Sequence, residues 1–403
     1  MAFLFSIPIF YIAGMSDTRF VQERYFQFAS MLLASLFFGN IWLTLFFWLN
    51  AVMYVVYGFS VGSSQVTNIF LTGLIFACSR NFFKTREVAP YFKALYLVLG
   101  LSLVYCVFQF FRIDPIGAPM SASGVPFFYG NTGQLNGLFF HTAIHSVFLA
   151  AMVPVLIFSG FWAGALLLPL IALLKCSGAI LATGFTIPFI AYHKKKILFI
   201  PALALTVILG IGATYLDHKT DPKTYASRFE SWHLVFRYCM INPLGWGPDS
   251  FRNTNKFKKF TFHSDENYYP LVMEKVSDDQ SVIRYHSADP SKFKERYQGR
   301  VPKNLSVWVE VHNEFLQLFF EYGIFGVLLI FMFGKEFIDR FILSDKSDEV
   351  LALFGAILVI VIAGFTQFPF HLARISGIFG VLLGAYFAKT DKSYLMMRGE
   401  DDE

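Results

Sequence analysis

Two groups in this chain have the residue types needed for proton transfer beside an anion. His312 and Asn313 open the stretch VHNEFLQLFFEYGIFGVLL, which is otherwise nearly all apolar, and Arg228 lies in SRFESWHLVFRYCMINPLGWGPDSF. An imidazole, with an ordinary pKa of about 6.5, can take a proton from a hydroxyl near neutral pH. A guanidinium can hold a phosphate through two parallel hydrogen bonds. The pair is therefore suited to general-base chemistry beside a phosphate group.

Each of these residues also has an ordinary structural interpretation. Taken alone, His312 is a helix-start histidine satisfied by a backbone carbonyl, and Asn313 is a helix cap. Arg228 could be an arginine that snorkels at a membrane surface, with Trp232 as the aromatic anchor. For Arg237, about half a turn round the helix from Arg228, snorkelling is the favoured interpretation. Of these two arginines, only Arg228 is assigned a functional role.

The composition indicates what must position these residues. The chain has 403 residues, of which 55% are hydrophobic and only 15% charged, and its mean hydropathy is +0.52. A soluble globule of this size needs more charge on its surface. Because the apolar runs lack the alternation of a membrane barrel, the sequence predicts an all-α integral membrane protein.

Twelve apolar runs are predicted to be transmembrane helices. They divide the chain into spans one to nine in 1–215, a loop or lid in 216–311, spans ten to twelve in 312–388, and a tail in 389–403. The runs are 2–14, 27–39, 41–60, 66–79, 91–111, 136–157, 160–174, 178–192, 197–215, 313–334, 351–366 and 372–388.

Basic residues in the short connections set the predicted orientation. Short loops rich in lysine and arginine favour the cytoplasm, and extended loops are exempt from this bias. Four basic segments fall on the same side of the twelve-span count, which places both termini inside and the long loop outside. These segments contain Arg80, Lys84 and Arg86; Lys194, Lys195 and Lys196; Lys335, Arg340 and Lys346; and Lys389, Lys392 and Arg398.

The outward segments are predicted to hold the site. An amphipathic loop helix with Phe229, Trp232, His233 and Phe236 on one face is expected to carry Arg228 in its first turn, where the positive helix end favours an anion. This helix should end before Pro243. In LLKCSGAIL, Lys175 stands at the outer end of a span, where a lysine usually snorkels. By position it can also reach the outer end of the helix bundle, where His312 is predicted to lie.

The run that begins at His312 is expected to break at GIFG. Gly323 and Gly326 punctuate it, so residues 312–322 should lie near the membrane interface. Glu321, about two turns beyond His312, would be costly against lipid and should face protein.

No metal site is predicted. The four cysteines have no CxxC spacing, and solvated loop charges are commoner than metal ligands at the remaining positions. The spacing of the loop's own candidates fits no standard site; these are His263, Asp265, Glu266 and His286.

These residues resemble the O-antigen ligase and O-antigen polymerase superfamily of bacterial membrane glycosyltransferases. The family signature is His, then Asn, Ser or Gln, nine residues, Gly-x-x-Gly, and then Gly, Thr or Val. This chain resembles the signature with the following residues, in order: His312, Asn313, the nine residues EFLQLFFEY, Gly323, Gly326 and Val327. SRFESW followed by NPLGWG is similar to the family's arginine-containing outer helix and glycine-rich turn. GNTGQLNG resembles the start of a family middle span.

The resemblance covers about residues 95–390 and has one departure. The family commonly carries a Ser-Arg pair where this chain has CSGAIL, so Ser177 is followed by Gly178 instead of arginine. Lys175 can supply the charge, but a lysine is a point charge that cannot make the bidentate fork to phosphate.

The resemblance implies a GT-C-like fold with a long periplasmic helical loop in the bacterial inner membrane. It implies transfer of a glycan from undecaprenyl diphosphate to a sugar hydroxyl at the periplasmic face, with inversion and without metal, cofactor or nucleic acid. His312 would be the general base and Arg228 the diphosphate ligand. Asn313, Lys175 and Trp232 would bind substrate. A ligase would use a lipid A core acceptor, and a polymerase would use another carrier-linked repeat.

A transporter or flippase is the alternative from a different class. Twelve spans with both termini inside are also a common transporter plan. Against this, the middles of the spans carry few charges to line a path, and the ionisable groups gather at one face.

Overall fold

The protein is described by a computed structural model that is mostly helical, which confirms the helical prediction. The chain forms two compact units, one from 1–77 with 221–336 and the other from 78–220 with 337–403. The structure describes residues 32–57, 64–111, 135, 137–139, 142–174, 176–194, 196–204, 206–208, 215, 222–248, 250–251, 260–264, 270–275, 281–286, 291, 306–307, 311–366 and 373–398. The predicted span 2–14 lies outside these residues.

The helices largely coincide with the predicted apolar runs. Short 3-10 helices at Leu36–Phe38, Gly137–Phe139, Trp162–Leu166 and Lys196–Leu198 accompany them. The α-helices are α1 (Ile41–Tyr57), α2 (Ser64–Lys84), α3 (Ala89–Phe110), α4 (Thr142–Phe158), α5 (Leu167–Leu173), α6 (Ser177–Lys194), α7 (Pro222–Ile241), α8 (Glu314–Leu343), α9 (Asp348–Ala363) and α10 (Ala373–Arg398).

Two helices of the described ranges, α3 and α8, are long and apolar enough to cross a membrane by length and composition. Shorter apolar helices include Ile41–Met53 and Thr142–Phe158. About 20 apolar residues are needed to span the hydrocarbon as a helix. These helices support membrane association, and the number of twelve spans stays a prediction.

The predicted outer loop contains a sheet as well as a helix. Strand β1 (Phe260–Ser264) pairs antiparallel with β2 (Pro270–Lys275) and β4 (Ser306–Val307), and β2 pairs with β3 (Ser281–His286). The strand order is β3-β2-β1-β4. The prediction of a helical loop is therefore incomplete, because strands this short carry too few alternating residues to stand out among loop charges.

An apolar core joins this sheet to two helices of the first unit. Phe262 of β1 meets Tyr238 of α7 with ring centroids 5.4 Å apart and Phe320 of α8 at 5.6 Å. Val272 of β2 and Cys239 of α7 are fully buried in the same cluster. Since such contacts are made only when the loop folds back, the core holds α7 against the start of α8.

Helices α4 and α9 form the centre of the second unit. Both helices bury most of their side chains. Gly355 of α9 lies against Pro154 of α4, and a Cβ added to Gly355 would come 2.8 Å from the Pro154 Cβ. Small residues at a crossing let two helix backbones approach closely, which is the usual packing device inside membranes.

Several of the predicted inside segments meet at one end of the second unit. Lys194 pairs with Asp348 at 2.7 Å. Lys389 pairs with Glu349 at 3.9 Å and donates to the Arg86 carbonyl at 3.1 Å. The end of α6, part of α10 and the segments that follow α2 and α8 therefore meet at one end of this unit, as the count of basic residues predicts.

Two arginines share one carboxylate at this end. Arg80 binds Asp391 through Nε at 3.0 Å and Nη2 at 2.8 Å, and Arg340 binds it through Nη1 at 2.7 Å. The Arg340 guanidinium also lies 4.3 Å from the ring centroids of Phe387 and Tyr394. The shared carboxylate links α2, α8 and α10 with charge-assisted hydrogen bonds.

A buried histidine holds the turn that precedes α4. The His145 Nε2 lies 3.1 Å from the Ser102 hydroxyl, and Gly137 donates its N–H to the Gln109 side-chain oxygen at 3.0 Å. Gly137 has φ of 54° and packs directly on His145. Of the segment 130–137 that resembles a family motif, Leu135 and Gly137 are described, and the rest lies outside the described residues.

Candidate active site

His312 occupies a left-handed turn immediately before α8. Its φ is 53°, and it is the one non-glycine residue with positive φ in the described ranges. This conformation is unfavourable for a residue with a Cβ and persists only where the surroundings enforce it. The side chain is half-buried.

Two side chains hold the residue before it. The Trp232 indole N–H of α7 donates to the Val311 carbonyl at 2.9 Å. The Val311 N–H donates to the Gln317 side-chain oxygen at 3.4 Å. Both polar groups of the Val311 backbone are thereby engaged, and Val311 itself is 1% exposed. We refer to Trp232 and Gln317 as the Val311 clamp, since together they restrain the peptide that leads into His312.

Asn313 caps the helix that follows. Its side-chain oxygen accepts a hydrogen bond from the Leu316 N–H at 3.0 Å, and its carbonyl accepts from the Gln317 N–H at 3.0 Å. This is the N-cap arrangement that asparagine favours. The side-chain oxygen is committed to the helix, which leaves the amide nitrogen as the group that a substrate could engage.

Arg228 lies later in α7 than the sequence predicts. The helix begins at Pro222, since a proline suits the first helical position, and so Arg228 falls in the second turn. The prediction that it lies in the first turn is wrong. The helix end therefore adds little to anion binding at Arg228, because its field fades beyond the first turn.

Helix α7 nevertheless brings Arg228 towards His312. Trp232 follows Arg228 by four residues, so the two share a helix face and their Cα atoms are separated by about 6 Å along the axis. Trp232 in turn binds Val311, the neighbour of His312. Arg228 is half-buried, and none of the residues that the structure describes pairs with its side chain.

Trp232 is more buried than the other residues that were predicted to share its helix face. It is half-buried against the apolar core, whereas Phe229, His233 and Phe236 are exposed. The two rings are nevertheless neighbours on the predicted face, since the centroids of Phe229 and Trp232 lie 5.2 Å apart. A membrane-anchor role for Trp232 is disfavoured, because its indole N–H is already bonded to Val311 inside the protein.

Glu321 faces protein, as predicted. It is 1% exposed, and one of its carboxylate oxygens accepts a hydrogen bond from the Gln317 side-chain nitrogen at 3.1 Å. Gln317 thus bridges Glu321 and Val311 along one face of α8. Gln317 was missed in the sequence, although two polar residues one helical turn apart in an apolar run are typical of a buried hydrogen-bonded pair.

The predicted helix break is confirmed at Gly323, where φ is 62° and ψ is −160°. The glycine-rich turn NPLGWG docks on this break through three backbone hydrogen bonds. The Trp246 N–H donates to the Phe320 carbonyl at 2.9 Å, the Gly247 N–H to Glu321 at 2.9 Å, and the Ile324 N–H to Pro243 at 2.8 Å. The two glycine motifs therefore bind each other, and we refer to the paired segments 243–247 and 320–324 as the joint.

Both glycines at this joint are required by close backbone approach. A Cβ on Gly245 would lie 2.6 Å from the Glu321 carbonyl oxygen, and one on Gly323 would collide with the backbone of Leu244. Both residues also have positive φ. Gly326, the second glycine of the signature, packs against Tyr322. Any L-residue would be strained at the first two positions.

The remaining predicted residues form no cluster in the described part of the chain. Lys175, Asp265 and Glu266 lie outside the described residues. His263 and His286 each align with Leu271, so their backbones are two strands, or about 9.5 Å, apart. No group of three metal-ligating side chains is found in the described ranges.

A scan of the chain against protein-family models finds no match, and a comparison with curated proteins finds none of significant similarity. The resemblance around His312 and Arg228 thus rests on the residues themselves.

Proposed function

We propose that this protein is a membrane glycosyltransferase of the O-antigen ligase or polymerase type, with ligase activity favoured. It would move a glycan from undecaprenyl diphosphate to a sugar hydroxyl, in the ligase case on the lipid A core, at the periplasmic face of a bacterial inner membrane. The observation that carries the proposal is the bond between Trp232 and Val311. It ties the helix of Arg228 to the turn of His312.

His312 acts as the general base. Its imidazole accepts the proton of the acceptor hydroxyl as that oxygen forms a bond to the anomeric carbon. The bond from this carbon to the diphosphate breaks, and its electron pair leaves with the diphosphate. A single displacement of this kind inverts the anomeric centre. Base catalysis of this sort accelerates a reaction by about 10²–10⁴.

Arg228 binds the diphosphate leaving group. A diphosphate is stable as an anion, so no carboxylic acid is needed to protonate it, in contrast to the paired carboxylates of glycosidases. The planar guanidinium can hold two phosphate oxygens and offset the charge that grows as the bond breaks. The lack of a partner for Arg228 among the described residues favours this role.

The other assigned residues have supporting roles. The Asn313 amide nitrogen is placed beside His312 and can donate to a substrate oxygen. Trp232 contributes through its bond to Val311, and only its ring remains for substrate contact. Lys175 would add positive charge at the outer end of the helix bundle, in place of the arginine that the family carries.

The decisive test replaces the imidazole. The His312→Ala variant should lose glycan transfer by at least about 10²-fold while its level in the membrane stays normal. His233→Ala is the matched control, since His233 is an exposed histidine of the same unit that the mechanism does not use. Transfer is measured as carrier-linked glycan consumed and acceptor glycosylated in membranes from a strain that lacks the chromosomal gene.

The same strain identifies the acceptor class. Loss of a ligase leaves long polymer on the carrier, and loss of a polymerase leaves single repeats. If His312→Ala keeps full activity, the base assignment is wrong. If reconstituted protein moves carrier-linked glycan across liposomes without any acceptor, the transporter alternative replaces the proposal.

A further inference from the structure

Helix α7 has an exposed apolar face opposite its buried one. The buried face contains Ser231, Leu234, Val235, Tyr238 and Cys239, which pack inside the first unit.

At about 100° per residue, three other side chains fall within about 40° of one another on the opposite face. These are Phe229, Phe236 and Met240, which we call the aromatic stripe, and they are 52%, 48% and 60% exposed. Phe229 contacts Trp232 with ring centroids 5.2 Å apart, and Phe236 contacts Phe319 at 6.4 Å, yet about half of each ring remains exposed.

Two arginines flank the aromatic stripe. Arg228 lies about 100° to one side of its centre and Arg237 about 80° to the other. Arg228 is half-buried and Arg237 is exposed. Basic residues beside an aromatic face are typical of helices that lie in a lipid interface, where the long side chains reach the phosphates.

The stripe continues into the exposed surface of α8, which is long and apolar enough to cross a membrane. Leu244, just after α7, is 55% exposed and lies against Gly323, and the Ile324 N–H is bonded to the adjacent Pro243 carbonyl. Beyond this joint, α8 exposes a row of large apolar side chains to its surroundings: Ile324, Phe325, Leu328 and Phe331. The exposed face of α7 is therefore continuous, within one compact unit, with the exposed apolar surface of α8.

We propose that α7 is an interfacial helix, with the aromatic stripe embedded at the boundary between headgroups and acyl chains of the outer leaflet. The occupant of the stripe is bilayer lipid. Arg228 and Arg237 then lie at the level of the lipid phosphates. This inference goes beyond glycan transfer, because it concerns how the extramembrane part of the first unit is attached to the bilayer.

Site-directed spin labelling in nanodiscs made of phosphatidylethanolamine and phosphatidylglycerol tests this proposal. Single cysteines replace Phe236 and Met240 in a Cys78→Ser background, since Cys78 is the exposed native thiol. Cys106, Cys176 and Cys239 are buried, and burial raises the pKa of Cys239 to about 12, so this thiol stays protonated during labelling. Phe331→Cys is the lipid reference, and Ser291→Cys, at an exposed position between β3 and β4, is the water reference.

Labels at 236 and 240 should collide with oxygen several-fold more than with a water-soluble nickel chelate, as at 331. A label at 291 should show the opposite ratio. If 236 and 240 match 291, the stripe faces water and the proposal fails. If both positions are shielded from both reagents, protein covers the stripe, either a second copy or another segment, and the proposal also fails. Because the side chains of Phe236 and Met240 are exposed, replacing them does not open a cavity. Phe229→Cys provides a third, independent label position.

Discussion

At the scale of single residues, the site depends on how the backbone before α8 is restrained. His312 adopts a left-handed conformation that costs a residue with a Cβ about 1–2 kcal/mol, so something must hold it there. The Val311 clamp does this by engaging the N–H and the carbonyl of the preceding residue. The sequence identifies the histidine, but nothing local connects its turn to Trp232, which is 79 residues from Val311 in the chain.

The clamp predicts a specific kinetic defect for Trp232→Phe. This change keeps an aromatic ring but removes the N–H donor, at a cost of about 0.5–1.5 kcal/mol. We expect kcat for glycan transfer to fall by up to about tenfold, with KM for the carrier-linked donor little changed, because a less restrained His312 turn affects the transition state more than binding.

Trp246→Phe is the matched control. The Trp246 indole N–H donates to the Tyr238 carbonyl at 3.0 Å, a bond of the same kind that does not contact the His312 turn. It should reduce thermal stability by a similar amount and leave kcat unchanged. Equal kcat values for the two variants would show that the Trp232 bond is only structural.

At the scale of elements, the joint between the glycine-rich turn and the break in α8 positions the site. Three backbone hydrogen bonds connect residues 243–247 with 320–324. The joint includes the backbone of Glu321, whose side chain is bonded to Gln317. The part of α8 before Gly323 therefore connects the joint at one end with the His312 turn at the other. A helix that ran straight through Gly323 would lose this docking surface, since carbonyls 320 and 321 would stay within the helix.

Replacing Gly323 should therefore be far more damaging than replacing a glycine elsewhere in the same helix. Gly323→Ala combines left-handed strain with a backbone collision, and we expect a loss of at least about 2 kcal/mol of stability. Gly334→Ala is the control, because nothing lies within 4 Å of its added Cβ, and it should be neutral or stabilising by up to about 1 kcal/mol. The measurement is the folded fraction recovered by gel filtration after heating in detergent.

Similar thermal behaviour of these two alanine variants would mean that the joint contributes little. The sequence predicted the break, because two glycines in an apolar run are a local signal. It did not predict the partner turn, because the bonds join residues 74 to 81 positions apart in the chain and no local pattern encodes such pairings.

At the scale of the whole molecule, the distribution of charge predicts the orientation in the membrane. The basic segments share one end of the second unit through contacts of Lys194 with Asp348 and of Lys389 with Glu349 and Arg86. Positive short loops remain in the cytoplasm during membrane insertion, and extended loops are exempt from the rule. The charge rule thus predicts that this shared end faces the cytoplasm and that the extended loop faces the periplasm, as the proposed reaction requires.

Reporter fusions test this orientation directly. Alkaline phosphatase, which is active only in the periplasm, should be active when fused after Ser291 and inactive when fused after Lys196 or Ser347. β-Galactosidase fused at the same three positions is the control and should give the complementary pattern. Phosphatase activity after Ser347 with none after Ser291 would invert the topology and place His312 on the wrong side for the proposed reaction.

The sequence by itself determined the properties that depend on local composition: a mostly helical chain, the ends of α7 near Pro243 and of the first part of α8 at Gly323, the burial of Glu321, and the common side of the basic segments. Each follows from hydrophobicity, helix-breaking residues or charge within a few residues of the feature. The tertiary structure alone decided that Trp232 turns inward to Val311, that NPLGWG docks on Gly323, and that the outer loop contains a sheet. These features depend on hydrogen bonds and packing between segments far apart in the chain, which form only when the apolar core of the first unit brings them together.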